Sequence, residues 1–189
     1  VAVILNNLGT LYYNQGKYLE AESIYNRALG IVENVFGPEH LHVADCLSQL
    51  ANLYTNMKEY EKAESFYKRT LAIREKFLGL EDENTLKVLS DLAHLYKVQG
   101  RVQEAESLFK RVIKIQEEAL GPEDKKLTKS LFELAELHLI KTKKQYNVSD
   151  IIRYAVKIRK WLDKHGENTA KKILEGGKIY KYGNIIKVY

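Results

Sequence analysis

The chain has 189 residues, 45% apolar and 29% charged, with 11 Gly and 2 Pro. That composition suits one folded domain with a sizeable core and excludes a collagenous or linker-rich chain. The single cysteine, Cys46, excludes an internal disulfide, and no apolar run approaches the roughly 20 residues that span a bilayer. The net charge of +5 is uneven: from Lys125 onward 16 Lys and Arg stand against 6 Asp and Glu, and before it 14 against 19. Such asymmetry marks either an acidic partner or a solvated basic face.

Val1 opens directly into a helical pattern, so the chain reads as a piece of a larger protein. Leu5, Leu8, Leu11 and Tyr12 fall at steps of three or four and predict a helix over 1–14. Gly16 supplies a turn. Ala21, Ile24, Tyr25, Ala28 and Leu29 predict a second helix over 18–35, which Gly37-Pro38 ends. The pattern then repeats every 42 residues. Leu8-Gly9-Thr10-Leu11-Tyr12 recurs as Leu50-Ala51-Asn52-Leu53-Tyr54, Leu92-Ala93-His94-Leu95-Tyr96 and Leu134-Ala135-Glu136-Leu137-His138. Tyr25, Tyr67 and Phe109 share a register, as do Gly37, Gly79 and Gly121. Helices are therefore expected over 40–56, 60–77, 82–98 and 102–118, with Lys58 standing where Gly16 and Gly100 turn the other units. The acidic residues Glu39, Glu81-Asp82 and Glu123-Asp124 suit the positive N-terminal ends of the helices that follow.

The fourth unit is less regular. Its first helix is expected over 124–141. Lys141-Thr142-Lys143-Lys144-Gln145 then replaces the glycine turn, and a second helix over 148–163 follows after a one-residue insertion. A last helix over 168–182, with Lys171, Lys172, Lys178 and Lys181, suits a cap facing water. The expected organisation is one domain: 1–140 as three and a half regular units, and 141–189 as a degenerate second helix plus a C-terminal capping helix. Each hairpin has an apolar face that it buries only against its neighbours, so the fold class is an all-α solenoid of about four and a half repeats.

Leu5-Asn6-Asn7-Leu8-Gly9-Thr10-Leu11-Tyr12, Asn14-Gln15-Gly16-Lys17-Tyr18 and Leu71-Ala72-Ile73-Arg74-Glu75-Lys76-Phe77-Leu78-Gly79 carry a family resemblance. Over residues 1 to 140 the chain resembles the long-unit tetratricopeptide repeats (TPR) of kinesin light chains. The resemblance implies a right-handed superhelix whose concave groove, lined by first helices, takes a short cargo or adaptor peptide. It implies a binding scaffold in the cytoplasm, with no catalysis and no cofactor.

Helix geometry alone picks the groove positions. Once the apolar stripe of each first helix faces the core, the opposite polar positions are Asn6, Thr10 and Tyr13 in unit one, with Val3 beside them. In unit two they are Ser48 and Asn52, with Asp45 and Thr55. In unit three they are Lys87, Ser90, His94 and Lys97. In unit four Lys129 stands with Phe132 and Glu136. These residues differ between units, whereas core positions repeat. Asn6, Ser48 and Asn52 suit a peptide backbone, and Lys87, Lys97 and Lys129 suit acidic side chains. Arg27, Arg69 and Arg111 recur with the scaffold and read as structural.

No enzyme is expected. His40, His42, Asp45 and Cys46 match no usual zinc spacing, and Cys46 aligns with the apolar Ile4 and Val88. Gly176-Gly177-Lys178 lacks the spacing of a phosphate loop, and Asn147-Val148-Ser149 is a glycosylation triplet of the kind that arises by chance. Two other readings stay open: a regulatory segment of a larger effector, and nucleic-acid or anionic-membrane binding by the basic C-terminal third with Tyr146, Tyr154, Trp161 and Tyr180.

Overall fold

The computed structural model describes residues 1–121, 126–141, 179–182 and 185–188. Seven helices occur there: α1 (Ala2–Asn14), α2 (Tyr18–Phe36), α3 (Leu41–Asn56), α4 (Tyr60–Leu78), α5 (Glu83–Val98), α6 (Val102–Leu120) and α7 (Lys126–Lys141). They are the seven expected ones, displaced by no more than two residues at either end. Two strands follow, β1 (Ile179–Tyr182) and β2 (Ile185–Val188). The chain divides into two compact units, Val1–Ile115 and Gln116–Tyr189, the division falling inside α6.

In the first unit α1 packs on α2, α2 on α3, α3 on α4 and α4 on α5. α2 and α4 are therefore each sandwiched between the first helix of their own repeat and that of the next. One core cluster joins Leu5, Ala28, Val32, Val43, Ala44, Leu47 and Ile73, from α1 to α4. Another joins Leu86 and Leu89 of α5 to Val112 of α6, with Leu71 and Leu108 beside them.

Turn chemistry explains where the helices stop. Gly37 and Gly79 follow α2 and α4 with φ of 83° and 82°. Asp82 caps α5, its carboxylate accepting from the Asn84 and Thr85 amides at 2.9 and 3.1 Å. Lys58 holds the left-handed conformation at φ 62° that Gly16 and Gly100 hold without a Cβ penalty.

Polar contacts between repeats recur at the same period as the sequence. The Tyr54 hydroxyl donates to Glu22 at 2.5 Å, and that of Tyr96 to Glu64 at 2.9 Å. Arg69 pairs with Glu33 at 2.6 Å and Arg111 with Glu75 at 3.1 Å. Arg69 and Arg111 are thus scaffold, as expected, while Arg27 in the same register is exposed. The helix pairs Glu64–Lys68 and Glu106–Lys110 form at 2.7 and 2.6 Å. Burial raises the pKa of Tyr54 to about 12, and its bond to Glu22 adds to the shift. Burial works against ionisation of Glu64 too, but hydrogen bonds from Lys68, Arg101 and Tyr96 outweigh it and hold its pKa near 2.

In the second unit Leu127, Leu131, Leu134 and Leu137 are buried along one face of α7. The Ser130 hydroxyl donates to Gln116 Oε1 at 3.0 Å. β1 and β2 pair antiparallel, with Ile179 opposite Val188 and Tyr182 opposite Ile185. The helix expected to run to residue 182 is corrected here. Residues 179–182 and 185–188 are rich in β-branched and aromatic side chains and are separated by Gly183-Asn184, a hairpin spacing that outweighs the faint helical register. The expected helix over 148–163, the earlier part of the 168–182 helix, and the Asn147 and Gly176-Gly177-Lys178 motifs lie outside the described residues.

Two stability predictions follow from particular atoms. The Thr85 hydroxyl is buried without a partner, in the register where the second repeat has Val43. Thr85→Val should raise stability by about 1 kcal/mol in urea denaturation. The Glu64 carboxylate has a folded pKa below its unfolded one, so its contribution is complete above about pH 4.5 and disappears as pH falls toward 2. With the discount due to its half-exposed partners, Glu64→Gln should cost about 1–2 kcal/mol at pH 7. The difference from the unmodified chain should vanish in melts near pH 2.

Candidate peptide-binding face

Within the first unit the candidate residues lie on three first helices: Asn6, Thr10 and Tyr13 on α1, Ser48 and Asn52 on α3, and Lys87, Ser90, His94 and Lys97 on α5. Steps of three and four place each set on one helix face. Lys129 is exposed on α7 of the second unit.

The face is not uniformly free. A tyrosine of each of the first two second helices reaches through to it. The Tyr25 hydroxyl lies 3.1 Å from Thr10 Oγ1, and that of Tyr67 donates to Asn52 Oδ1 at 2.7 Å. Both rings are buried, and burial raises both pKa values; the nearby Asp91 charge adds to the rise at Tyr67. A buried hydroxyl needs a partner, so Thr10 and Asn52 are engaged by the scaffold. The third unit carries Phe109 in the same register, with no hydroxyl to satisfy, and His94 opposite it is exposed.

Other candidates are also engaged. Asn6 Nδ2 lies 3.4 Å from Cys46 Sγ, and Asn56 Nδ2 donates to the Tyr13 hydroxyl at 2.5 Å. Both are bridges between α1 and α3. Ser90 Oγ donates back to the Leu86 carbonyl at 3.0 Å, and Ser48 is half-buried. Lys87 is exposed, while Lys97 is half-buried and has a partner within the chain.

Two features escaped the sequence reading. Asp45 accepts from Arg74 Nη2 at 2.8 Å, and Arg74, only 8% exposed, also donates to the Asn84 carbonyl at 3.0 Å. A buried arginine thus ties α3, α4 and the start of α5 together and offsets a charge on the candidate face. The signal was in the repeat: Val3/Val32 and Asp45/Arg74 occupy the same two registers 29 residues apart, and they change together from apolar to ionic. The second feature is an open apolar cavity of about 330 Å³ between α1, the end of α2 and the start of α3, lined by Val3, Asn6, Ile31, Val35, Phe36 and Asp45 among others.

The histidines near Cys46 have structural roles. His40 Nδ1 accepts from the His42 amide at 3.2 Å and caps α3, and its ring stacks on Phe36 with centroids 4.6 Å apart. Cys46 is fully buried, and burial pushes its thiol pKa up. Among the described residues no group of three His, Cys, Asp or Glu side chains is arranged to hold a metal ion. Among them, too, no helix is long and apolar enough to cross a membrane.

The scaffold assignment makes a direct prediction. Asn52→Ala should cost about 1–2 kcal/mol, because it leaves the Tyr67 hydroxyl buried and unpaired. Tyr67→Phe should remove most of that cost in a double-mutant cycle, measured by chemical denaturation. His94→Ala should leave stability unchanged within about 0.5 kcal/mol.

Two comparisons with known proteins are consistent with this geometry, and a third is silent. The tetratricopeptide repeat family matches residues 1–76 and again 85–124, which together exceed half of the chain. BtubC (BKLC) from P. vanneervenii is similar over 100% of this chain and 68% of its own, with 20% identity and a TM-score of 0.67. A kinesin light chain-type protein of nearly identical TPR-like repeats from Podosopora anserina is similar over 90% of both chains, with 22% identity and a TM-score of 0.62. The first TPR domain of Spaghetti (RPAP3), bound to the HSP90 peptide SRMEEVD, is similar over 74% of this chain and 91% of its own, at 19% identity and a TM-score of 0.52. Nothing among curated protein sequences matches the chain. The first unit is therefore an all-α TPR solenoid resembling that of kinesin light chains.

Proposed function

Because the chain belongs to the tetratricopeptide repeat family, whose arrays serve protein–protein interaction, we propose that its first-helix face grips a short, extended, acidic peptide of a partner protein, as cargo or adaptor recognition would require. The observation that carries this reading is the switch from Tyr25 and Tyr67 to Phe109. It leaves His94 exposed where Thr10 and Asn52 are occupied by their own scaffold. Ser48, Lys87 and Ser90 lie on the same face, so the recognition surface centres on α3 and α5 rather than on α1.

Charge supports an acidic ligand. Lys87 and His94 present cationic or donor groups, and the Asp45 carboxylate is compensated by Arg74. The peptide SRMEEVD held by the Spaghetti domain is itself acidic. Extended concave surfaces are what helical solenoids offer to such segments. A cytoplasmic setting suits a chain whose one thiol, Cys46, is buried and unpaired.

A peptide enriched from a random display library and followed by fluorescence anisotropy tests the reading. The Lys87→Glu/His94→Ala variant should bind about tenfold or more weakly, with its melting temperature unchanged. Affinity should also fall as salt rises. A selected peptide indifferent to both changes would remove α5 from the binding face.

A further inference from the structure

Among the described residues Arg74 alone is a buried charged residue, 8% exposed. Its pair with Asp45 is lopsided: the arginine side chain is 10% exposed and the carboxylate 55%. The pairs Arg69–Glu33 and Arg111–Glu75 recur every 42 residues and have both partners partly exposed. Asp45–Arg74 does not recur: the first repeat sets Val3 and Val32 at the same registers, so the scaffold does not require an ion pair there. Apolar residues often replace a buried ion pair at no loss of stability, so stability alone does not account for this one.

The geometry lets the carboxylate leave and the guanidinium stay. Arg74 Nη1 donates to the Asn84 carbonyl at 3.0 Å, an anchor that does not involve Asp45. Asp45 meets Arg74 through Oδ1 at 2.8 Å, and its Oδ2 lies 3.7 Å from Nδ1 of the exposed His42 on the same helix. A carboxylate already more than half exposed, with a second ring nitrogen beside it, turns outward at little cost. Asp45 also lies one turn before Ser48 on α3 and in the register of Lys87 on α5. A buried guanidinium attracts a carboxylate more strongly than an exposed ammonium does, because less water screens it.

We propose that Arg74 is a carboxylate-binding residue of the α3–α5 face and that Asp45 is its resident internal ligand, which an acidic side chain of the bound peptide displaces toward His42. The proposal rests on the peptide-binding reading above and deepens it, since it makes Asp45 the residue that sets how acidic a peptide must be. An internal carboxylate has a high effective concentration, and so has one on a peptide already held at Lys87 and His94, so the two compete on similar terms. Neighbouring first helices lie roughly 8–10 Å apart and an extended peptide advances about 3.3 Å per residue. The acidic side chains that meet Arg74 and Lys87 therefore stand about two to three residues apart in the peptide.

Two measurements on the full chain test it. In the first, sodium acetate is titrated into the isotopically labelled chain, with sodium chloride at equal ionic strength as the control. The Asp45 carboxyl and Arg74 guanidinium NMR signals should shift together and saturate with acetate alone. This arm needs no variant, so it holds even where a substitution destabilises the chain. In the second, one library of short acidic peptides is selected in parallel on the native and Asp45→Asn chains. The Asp45→Asn chain should bind its selected peptides about tenfold or more tightly, and adding Arg74→Met, which fills a similar volume without charge, should abolish the gain. Shifts that chloride reproduces, no shift at all, equal affinities, or a gain that survives Arg74→Met would each overturn the proposal. Should acetate and Asp45→Asn act as expected while the peptides ignore Lys87→Glu with His94→Ala, the groove reading fails and the Arg74 site stands.

Discussion

The aromatic ring at registers 25, 67 and 109 sets how closely the two helices of each repeat approach, and its para position decides what the opposite face has left to offer. Tyr25, Tyr67 and Phe109 are each nearly fully buried, as are Ala51 and Ala93, and Gly9 lies against the Tyr25 ring in the crossing helix. At Gly9 the approach is so close that an added Cβ would lie 2.5 Å from the Tyr25 ring. A ring in that position carries its hydroxyl through to the far side of the first helix. The hydroxyl cannot be left unsatisfied, so Thr10 and Asn52 serve it. Where phenylalanine stands instead, the obligation lapses and His94 faces solvent.

Most of the scaffold was legible in one sequence because the same physical problem is solved every 42 residues. Apolar steps of three and four mark the buried stripes, small residues mark the crossings, and Arg69 and Arg111 form inter-repeat ion pairs. The candidate face was legible only in part. Helix periodicity says that Asn6, Thr10, Tyr13 and Asn52 point away from the first-helix core. It does not say that Cys46, Tyr25, Asn56 and Tyr67 reach them from neighbouring helices. The information was present in the second register, where tyrosine accompanies Thr10 and Asn52 and phenylalanine accompanies His94. The strands at 179–182 and 185–188 were missed because a weak long-range register was followed in preference to a local turn signal.

The repeating residues and the non-repeating ones thus divide the labour. Tyr54–Glu22, Tyr96–Glu64 and the arginine pairs weld successive hairpins together. The unit-specific Asp45–Arg74 pair locks α3, α4 and the start of α5 beneath the face on which Ser48, Lys87, Ser90 and His94 sit. Under the proposed function, a rigid floor lets Lys87 and His94 discriminate between peptides, because binding then has little ordering entropy to overcome.

The most direct test of the central claim is to restore the missing hydroxyl. In a Phe109→Tyr chain the new phenol would emerge beside His94, as that of Tyr67 does beside Asn52. Affinity for a groove-selected peptide, measured by titration calorimetry on Phe109→Tyr and unmodified chains of equal stability, is predicted to fall about fivefold or more as His94 becomes the partner of Tyr. Unchanged affinity, with His94 still free in the imidazole NMR spectrum, would contradict the account.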